Sequence, residues 1–228
     1  MELEPNKPIL GIVKASVGVD SKADIMSYRN ALRALPTSAV DDSNIASLRF
    51  DAAVLARDWT GAEEALSKSF NGEFYFFSGW GLVPHGCLDI WLARLKGDRP
   101  GTEDGFAPAR DQLERKVQAH PEDPLLLSAL GLVDAALGRK KEAIEEANRA
   151  VKTLPVSTDA MAGPLLVTNL AIVYAQTDEP DLAFQSLATS ARTPGGISYG
   201  QLKLDPAWDP IRKDPRFDQL LAQLGPHK

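Results

Sequence analysis

The sequence is short of the residues that most site chemistry needs. Cys87 is the single cysteine, so the chain has no intramolecular disulfide and cannot build a zinc site from thiolates. Histidine is scarce as well, with His85, His120 and His227 the full complement. His85 and Cys87 lie two apart, which on a helix points them in different directions and disfavours a shared metal. His120 precedes Pro121 at the end of a predicted helix, where a cation complements the helix dipole and needs no catalytic role. Basic charge is in deficit: the formal net charge is −6 and no long Lys/Arg run occurs. Nucleic acid as the main partner is therefore excluded from the expectation, because phosphate binding needs clustered cations. No apolar run approaches bilayer length, and the start, MELEPNKPILGIVKASVG, lacks the basic opening and long apolar segment of a secretory signal. The expectation is a soluble, cytoplasmic chain with no membrane partner.

Catalytic motifs are missing too. GWGLVPHG, around Gly79-Trp80-Gly81, has neither dinucleotide nor phosphate-loop spacing, and no Lys-Ser or Lys-Thr follows it. No Gly-x-Ser-x-Gly elbow is present. Glu63–Glu64 and Glu145–Glu146 are adjacent carboxylates, but each pair falls on the polar side of a predicted outer helix and reads as a solvated face. No catalytic residue, metal ligand or cofactor site is predicted.

What the sequence has is paired helices. Residues 124–155, PLLLSALGLVDAALGRKKEAIEEANRAVKTLP, open with Pro124, which suits a first helical turn. The helix then runs to Leu137 with Ser128 and Asp134 as its markedly polar side chains, a pattern buried on nearly all sides. Gly138 ends it, where a left-handed residue is commonly required. From about Lys141 a second helix places Ala143, Ile144, Ala147, Ala150, Val151 and Leu154 on one stripe, with Glu142, Glu145, Glu146 and Arg149 toward water. Pro155 stops it.

This unit resembles the tetratricopeptide repeat family. Leu127 stands where the family usually has an aromatic, followed by Leu130–Gly131, Ala143, Ala147, Ala150 and Pro155. Gly131 and Ala143 are small where paired helices would cross closely, whereas Asp134 departs from the family's usual aromatic. Upstream, Ala109 and Pro121 lie 34 residues before Ala143 and Pro155, the length of such a repeat. Their partner helix is predicted at about 83–96, beyond a non-helical insertion, GDRPGTEDG. Downstream, Leu170–Ala171, Tyr174, Ala183 and Leu187 repeat the form, with about six extra residues in VSTDAMAG. Residues 44–69 give a looser copy.

The tail, with Pro206, Pro210 and Pro215, cannot be one helix. It reads as a short helix near 197–204, a proline-fixed turn, and a last helix from Asp214 or Pro215 to Leu224. Leu204, Trp208, Ile211, Phe217, Leu220 and Leu221 are expected to cover the end of the stack. LDPAWDPIRKDPRFDQLL also resembles the closing segment of bacterial tetratricopeptide proteins attached to kinases, nucleotide cyclases and winged-helix regulators.

The resulting expectation is an all-α, right-handed α-solenoid of tetratricopeptide-type helix pairs with a C-terminal helical cap. It is one repeat domain over 1–228: a partial repeat at 1–42, helix pairs over 43–196, and the cap at 197–228. Leu3 to Pro8 reads either as the end of an outer helix, which would make the chain a fragment, or as an ordinary N-terminus.

By the same resemblance, the inner helices line a concave groove that takes a partner peptide or helix. Its residues would be Leu125, Ser128, Leu132 and Ala135, then Leu165, Thr168, Ile172 and Ala175. The basic and amide residues that clamp a terminal carboxylate in chaperone-binding members are missing there. Alternatively, the chain itself fills this face. GEFYFFSGWG is the most unusual composition, and its aromatics either wedge between repeats or form an exposed anchor at Phe76, Phe77 and Trp80. The function implied is a protein-protein interaction scaffold, the regulatory part of a larger bacterial signalling protein. An effector-sensing module for a small molecule is the alternative, ahead of an α-helical enzyme.

Overall fold

The computed structural model describes residues 8–35, 43–68, 73–76, 81–97 and 107–225. Leu3 to Lys7, Phe77 and Trp80 lie outside them. The described chain is helical, with one short β-hairpin inserted.

Helices follow one another in antiparallel pairs: α1 (Pro8–Lys22) with α2 (Ile25–Arg33), α3 (Ser43–Leu55) with α4 (Trp59–Ser67), and α5 (His85–Lys96) with α6 (Ala107–Ala119). The series continues with α7 (Pro124–Ala136) and α8 (Lys140–Thr153), then α9 (Ala162–Gln176) and α10 (Pro180–Arg192). One local device recurs along this series. Ala23, Arg57, Gly97, Gly138 and Asp178 follow the first helix of each pair in the left-handed conformation, 34, 40, 41 and 40 residues apart. At the second, fourth and fifth turns the next amide closes back onto the helix, with Asp58 N–H bonding the Ala53 carbonyl, Arg139 that of Asp134, and Glu179 that of Tyr174. Only two of these residues are glycines, so the backbone motif repeats more faithfully than the residue that normally signals it.

The central pair shows why small residues are spaced as they are. A Cβ on Gly131 would lie 3.0 Å from the Ala143 carbonyl oxygen and 3.1 Å from the Ala147 nitrogen. Ala143, Ala147 and Ala150 are buried against it, so α7 and α8 cross at backbone distance. The expected crossing is the observed one.

Asp134, the departure from the aromatic pattern, is enclosed completely and receives a two-pronged bond from Arg110 of α6, with Nε at 2.7 Å and Nη2 at 2.9 Å. A buried ion pair thus joins the third and fourth pairs. Glu146 is a correction to the solvated-face reading. Glu145 is exposed, but Glu146 turns inward, and burial followed by the neighbouring Asp134 charge raises its pKa. Its hydrogen bond to Asp134 leaves one oxygen, Oε2, buried and unpartnered.

The aromatic stretch contributes strands that the sequence reading did not anticipate. β1 (Glu73–Phe76) pairs antiparallel with β2 (Gly81–Pro84), Glu73 opposite Pro84 and Phe76 opposite Gly81. β1 lies along α3, and β2 lies along α5, α6 and α7. The hairpin therefore sits between helix pairs.

The tail folds as expected: α11 (Tyr199–Leu204), a 3-10 turn over Pro206–Ile211, and α12 (Pro215–Leu224). Trp208, Ile211, Phe217 and Leu220 are buried, together with Leu202, while Leu204 and Leu221 are half-buried. Its path is less expected, because it runs from the last pair back to the first. A Cβ on Gly200 would run into the Val19 carbonyl oxygen, and Ser198 Oγ donates to Asp20 at 2.8 Å. Arg57 forks onto both Asp209 oxygens at 2.7 Å. The end of the chain ties the two ends of the helix series together.

Candidate functional site

The residues predicted to line a groove lie on α7 and α9, as the helix spacing requires, but most are not surface. Leu132, Ala135, Ser128, Ile172 and Ala175 are buried, and Leu125, Leu165 and Thr168 are half-buried. The polar members are spent internally. Ser128 Oγ accepts from Asn169 Nδ2 at 3.0 Å, and Thr168 Oγ1 lies 2.6 Å from Ser190 Oγ. Ser190 Oγ in turn accepts from the Ile197 amide at 2.8 Å.

The tail covers the α9 part of this face. Leu165, Thr168 and Ile172 face Gly196, Ile197 and Trp208 across a cavity of only about 70 Å³. Gln176 carries the contact further: its Nε2 donates to the Ala207 carbonyl at 2.7 Å, while its own Oε1 accepts from Arg94 Nε at 3.0 Å. Five of the eight predicted groove residues are core in this conformation. On α9 the cause is the return path of the tail, which no local pattern announces; on α7, Ser128, Leu132 and Ala135 are enclosed by the neighbouring helices and β2.

The aromatic anchor is only partly within view. Phe76 ends β1, while Phe77 and Trp80 fall outside the described residues.

An open apolar surface occurs elsewhere, on α1. Ile12, Ala15 and Val19 face inward and pack with Tyr28, Leu32 and Ala52. The opposite side carries Leu10, Val13 and Val17, which are 45%, 56% and 60% exposed, and Met26 at the start of α2 is 56% exposed. Positions 10, 13 and 17 follow the spacing of one helical stripe. A helix apolar on two opposite sides is built to be covered on both, and α1 is covered on one. The signal was present in ILGIVKASVGV, whose two stripes 12/15/19 and 10/13/17 interleave.

The scarce reactive side chains have structural duties. His85 Nδ1 lies 3.0 Å from Asp89 and its Nε2 lies 2.8 Å from the Leu66 carbonyl; the Asp89 carboxylate raises its pKa against the opposing effect of burial. Burial pushes the Cys87 thiol up to about 12, far from a reactive thiolate. Among the described residues no group of three or more His, Cys, Asp or Glu is placed to hold a metal ion, and no helix is long and apolar enough to cross a membrane. Comparison with protein-family models, with curated proteins and with solved structures finds no match to this chain.

Proposed function

We propose that the chain is a protein-interaction scaffold, a right-handed α-solenoid of tetratricopeptide-type helix pairs serving as the regulatory part of a bacterial signalling protein. The exposed stripe Leu10, Val13 and Val17 carries this reading, with a helix or peptide of a partner protein as its occupant. It differs from the groove reading in the surface used: the inner strip is met by the tail along α9 and enclosed by neighbouring helices along α7, whereas α1 leaves an apolar side open. Covering three such side chains removes enough apolar area to supply several kcal/mol at about 25 cal/mol per Å². Contiguous apolar surface of this kind marks interaction sites.

The test uses photo-crosslinking residues placed at Lys14 and Ser21, beside the stripe, in cells that express the chain. A protein crosslinked by the parent chain and lost in Val13→Asp and Val17→Asp supports the proposal. Leu182→Asp, on α10, is the control and should retain it. Capture that survives both stripe variants, or is lost only on Leu165→Lys in the inner strip, returns the function to the groove.

A further inference from the structure

A second surface differs from the rest of this acidic chain in charge. Between α2 and α4, floored by α3, runs a cleft with two lobes of about 230 and 320 Å³ that share Arg33, Arg49, Gly61 and Glu64. Arg29 and Arg33 stand four apart on α2 and so project from one face. Arg49 enters from α3, and Lys68 follows the end of α4. Two carboxylates line the same cleft, Asp58 and Glu64.

The pairing inside the cleft is unequal. Arg29 bonds Asp58, which also caps α4 by accepting from the Gly61 amide at 3.0 Å. Lys68 Nζ holds Glu64 Oε1 at 2.6 Å. These pairs use both carboxylates and leave two guanidiniums, Arg33 and Arg49, with no ion pair or hydrogen bond among the described residues. Four cations against two anions leave a local surplus of two positive charges, in a chain whose net charge is −6. Clustered like charge is unfavourable unless an anion relieves it, and a cleft concentrates the resulting field.

We propose that this cleft binds a small phosphate-bearing molecule, with Arg33 and Arg49 donating to the phosphate oxygens. A phosphate group carries roughly −1.5 to −2 at neutral pH, which matches the unneutralised charge. Its oxygens suit the planar guanidinium fork. The remaining wall, formed by Leu32, Ala52 and Ala53, is apolar and accommodates the organic body of a phosphate ester. Half-buried Arg49 fixes the inner end of the ligand, and exposed Arg33 closes over it from the rim. This site stands apart from the scaffold reading and gives the effector-sensing alternative a location.

Isothermal titration of the full chain with inorganic phosphate, ribose 5-phosphate and citrate at low ionic strength tests the proposal. Saturable one-site binding of both phosphate probes is expected, with the ester tighter because it also meets the apolar wall. Arg33→Gln and Arg49→Gln should each weaken binding by about tenfold or more, the loss of one charge-assisted hydrogen bond. Arg115→Gln, on the exposed side of α6, should leave it unchanged. Arg33 is at the surface, so its variant keeps the fold, which circular dichroism verifies. The proposal is overturned if neither phosphate probe saturates, if both cleft variants bind as the parent does, or if citrate binds as tightly as phosphate.

Discussion

Helices α1 and α7 are both rich in apolar residues and end in opposite circumstances. α7 is apolar around most of its circumference, and α1 along two opposite stripes. In α7 every residue from Leu127 to Ala136 is buried, because α5, α6, α8, α9 and the hairpin strand β2 surround it. In α1 the stripe 12/15/19 is enclosed by α2, α3 and the tail, and the stripe 10/13/17 meets solvent. Apolar content sets how much covering a helix asks for, and the neighbours set how much it gets. The difference locates the core in one helix and a docking surface in the other.

The largest expected effect comes from the single charge inside the enclosed helix. Asp134→Ala takes the two-pronged acceptor from buried Arg110, leaving it Glu114 alone, and should cost about 3 kcal/mol. For a chain of this length that lowers Tm by roughly 6–12 °C, read by calorimetry. A loss of less than about 1 kcal/mol would show that water reaches Arg110 and that α7 is less closed than described.

Next comes the α7–α8 crossing. Gly131→Leu forces a side chain into space held by the Ala143 carbonyl and Ala147, and should cost about 1–3 kcal/mol in chemical denaturation. If it melts like the parent, the two helices can separate at no cost, and the enclosed side of the comparison fails.

The seam where α1 and α3 meet the tail should respond to pH. Burial, with the charges of Asp205 and Asp20 nearby, pushes Asp51 up to about 7, and burial pushes Asp205 up to about 6. Both lie above the ordinary aspartate value of 3.8, so the folded chain holds these protons more tightly than the unfolded chain does. Their contribution to stability is therefore greatest near pH 4, declines as pH rises toward 7, and is level above that. Asp51→Asn removes one of the two groups. Its Tm should rise relative to the parent between pH 5 and pH 8, and parallel curves would contradict the burial of this seam.

The smallest effect on stability is expected on the open side of α1. Val17→Asp should change it by no more than about 0.5 kcal/mol, since the side chain meets solvent already. A loss comparable to that of Gly131→Leu would mean that Val17 is packed and that α1 has no free face.

Legibility in the sequence followed the range of the interaction involved. The α7–α8 unit could be read almost residue by residue, because Gly138, the alanine stripe and Pro155 act within a few turns. The three parts of the tail were equally plain, since each proline limits its own neighbours. The hairpin was overlooked although EFYF is rich in strand formers, because the repeat pattern around it favoured helix. Glu146 was misplaced because a polar stripe records the average face of a helix, whereas one carboxyl turning toward Asp134 is a pairwise event. The groove residues were placed on the right helices, but their exposure depends on how the neighbouring helices close around α7 and on a tail that returns over α9.

The sequence by itself therefore determined the helical class, the pairing of helices and the small-residue crossing between α7 and α8. Each rests on periodicity, capping or excluded volume between segments close in the chain. Only the tertiary structure decided that the tail returns to α1 and covers the α9 part of the inner strip. The same folding left Leu10, Val13 and Val17 open and gathered Arg29, Arg33, Arg49 and Lys68 around one cleft. Those outcomes depend on contacts between segments far apart in the chain, and a one-dimensional pattern does not contain the distances that select them.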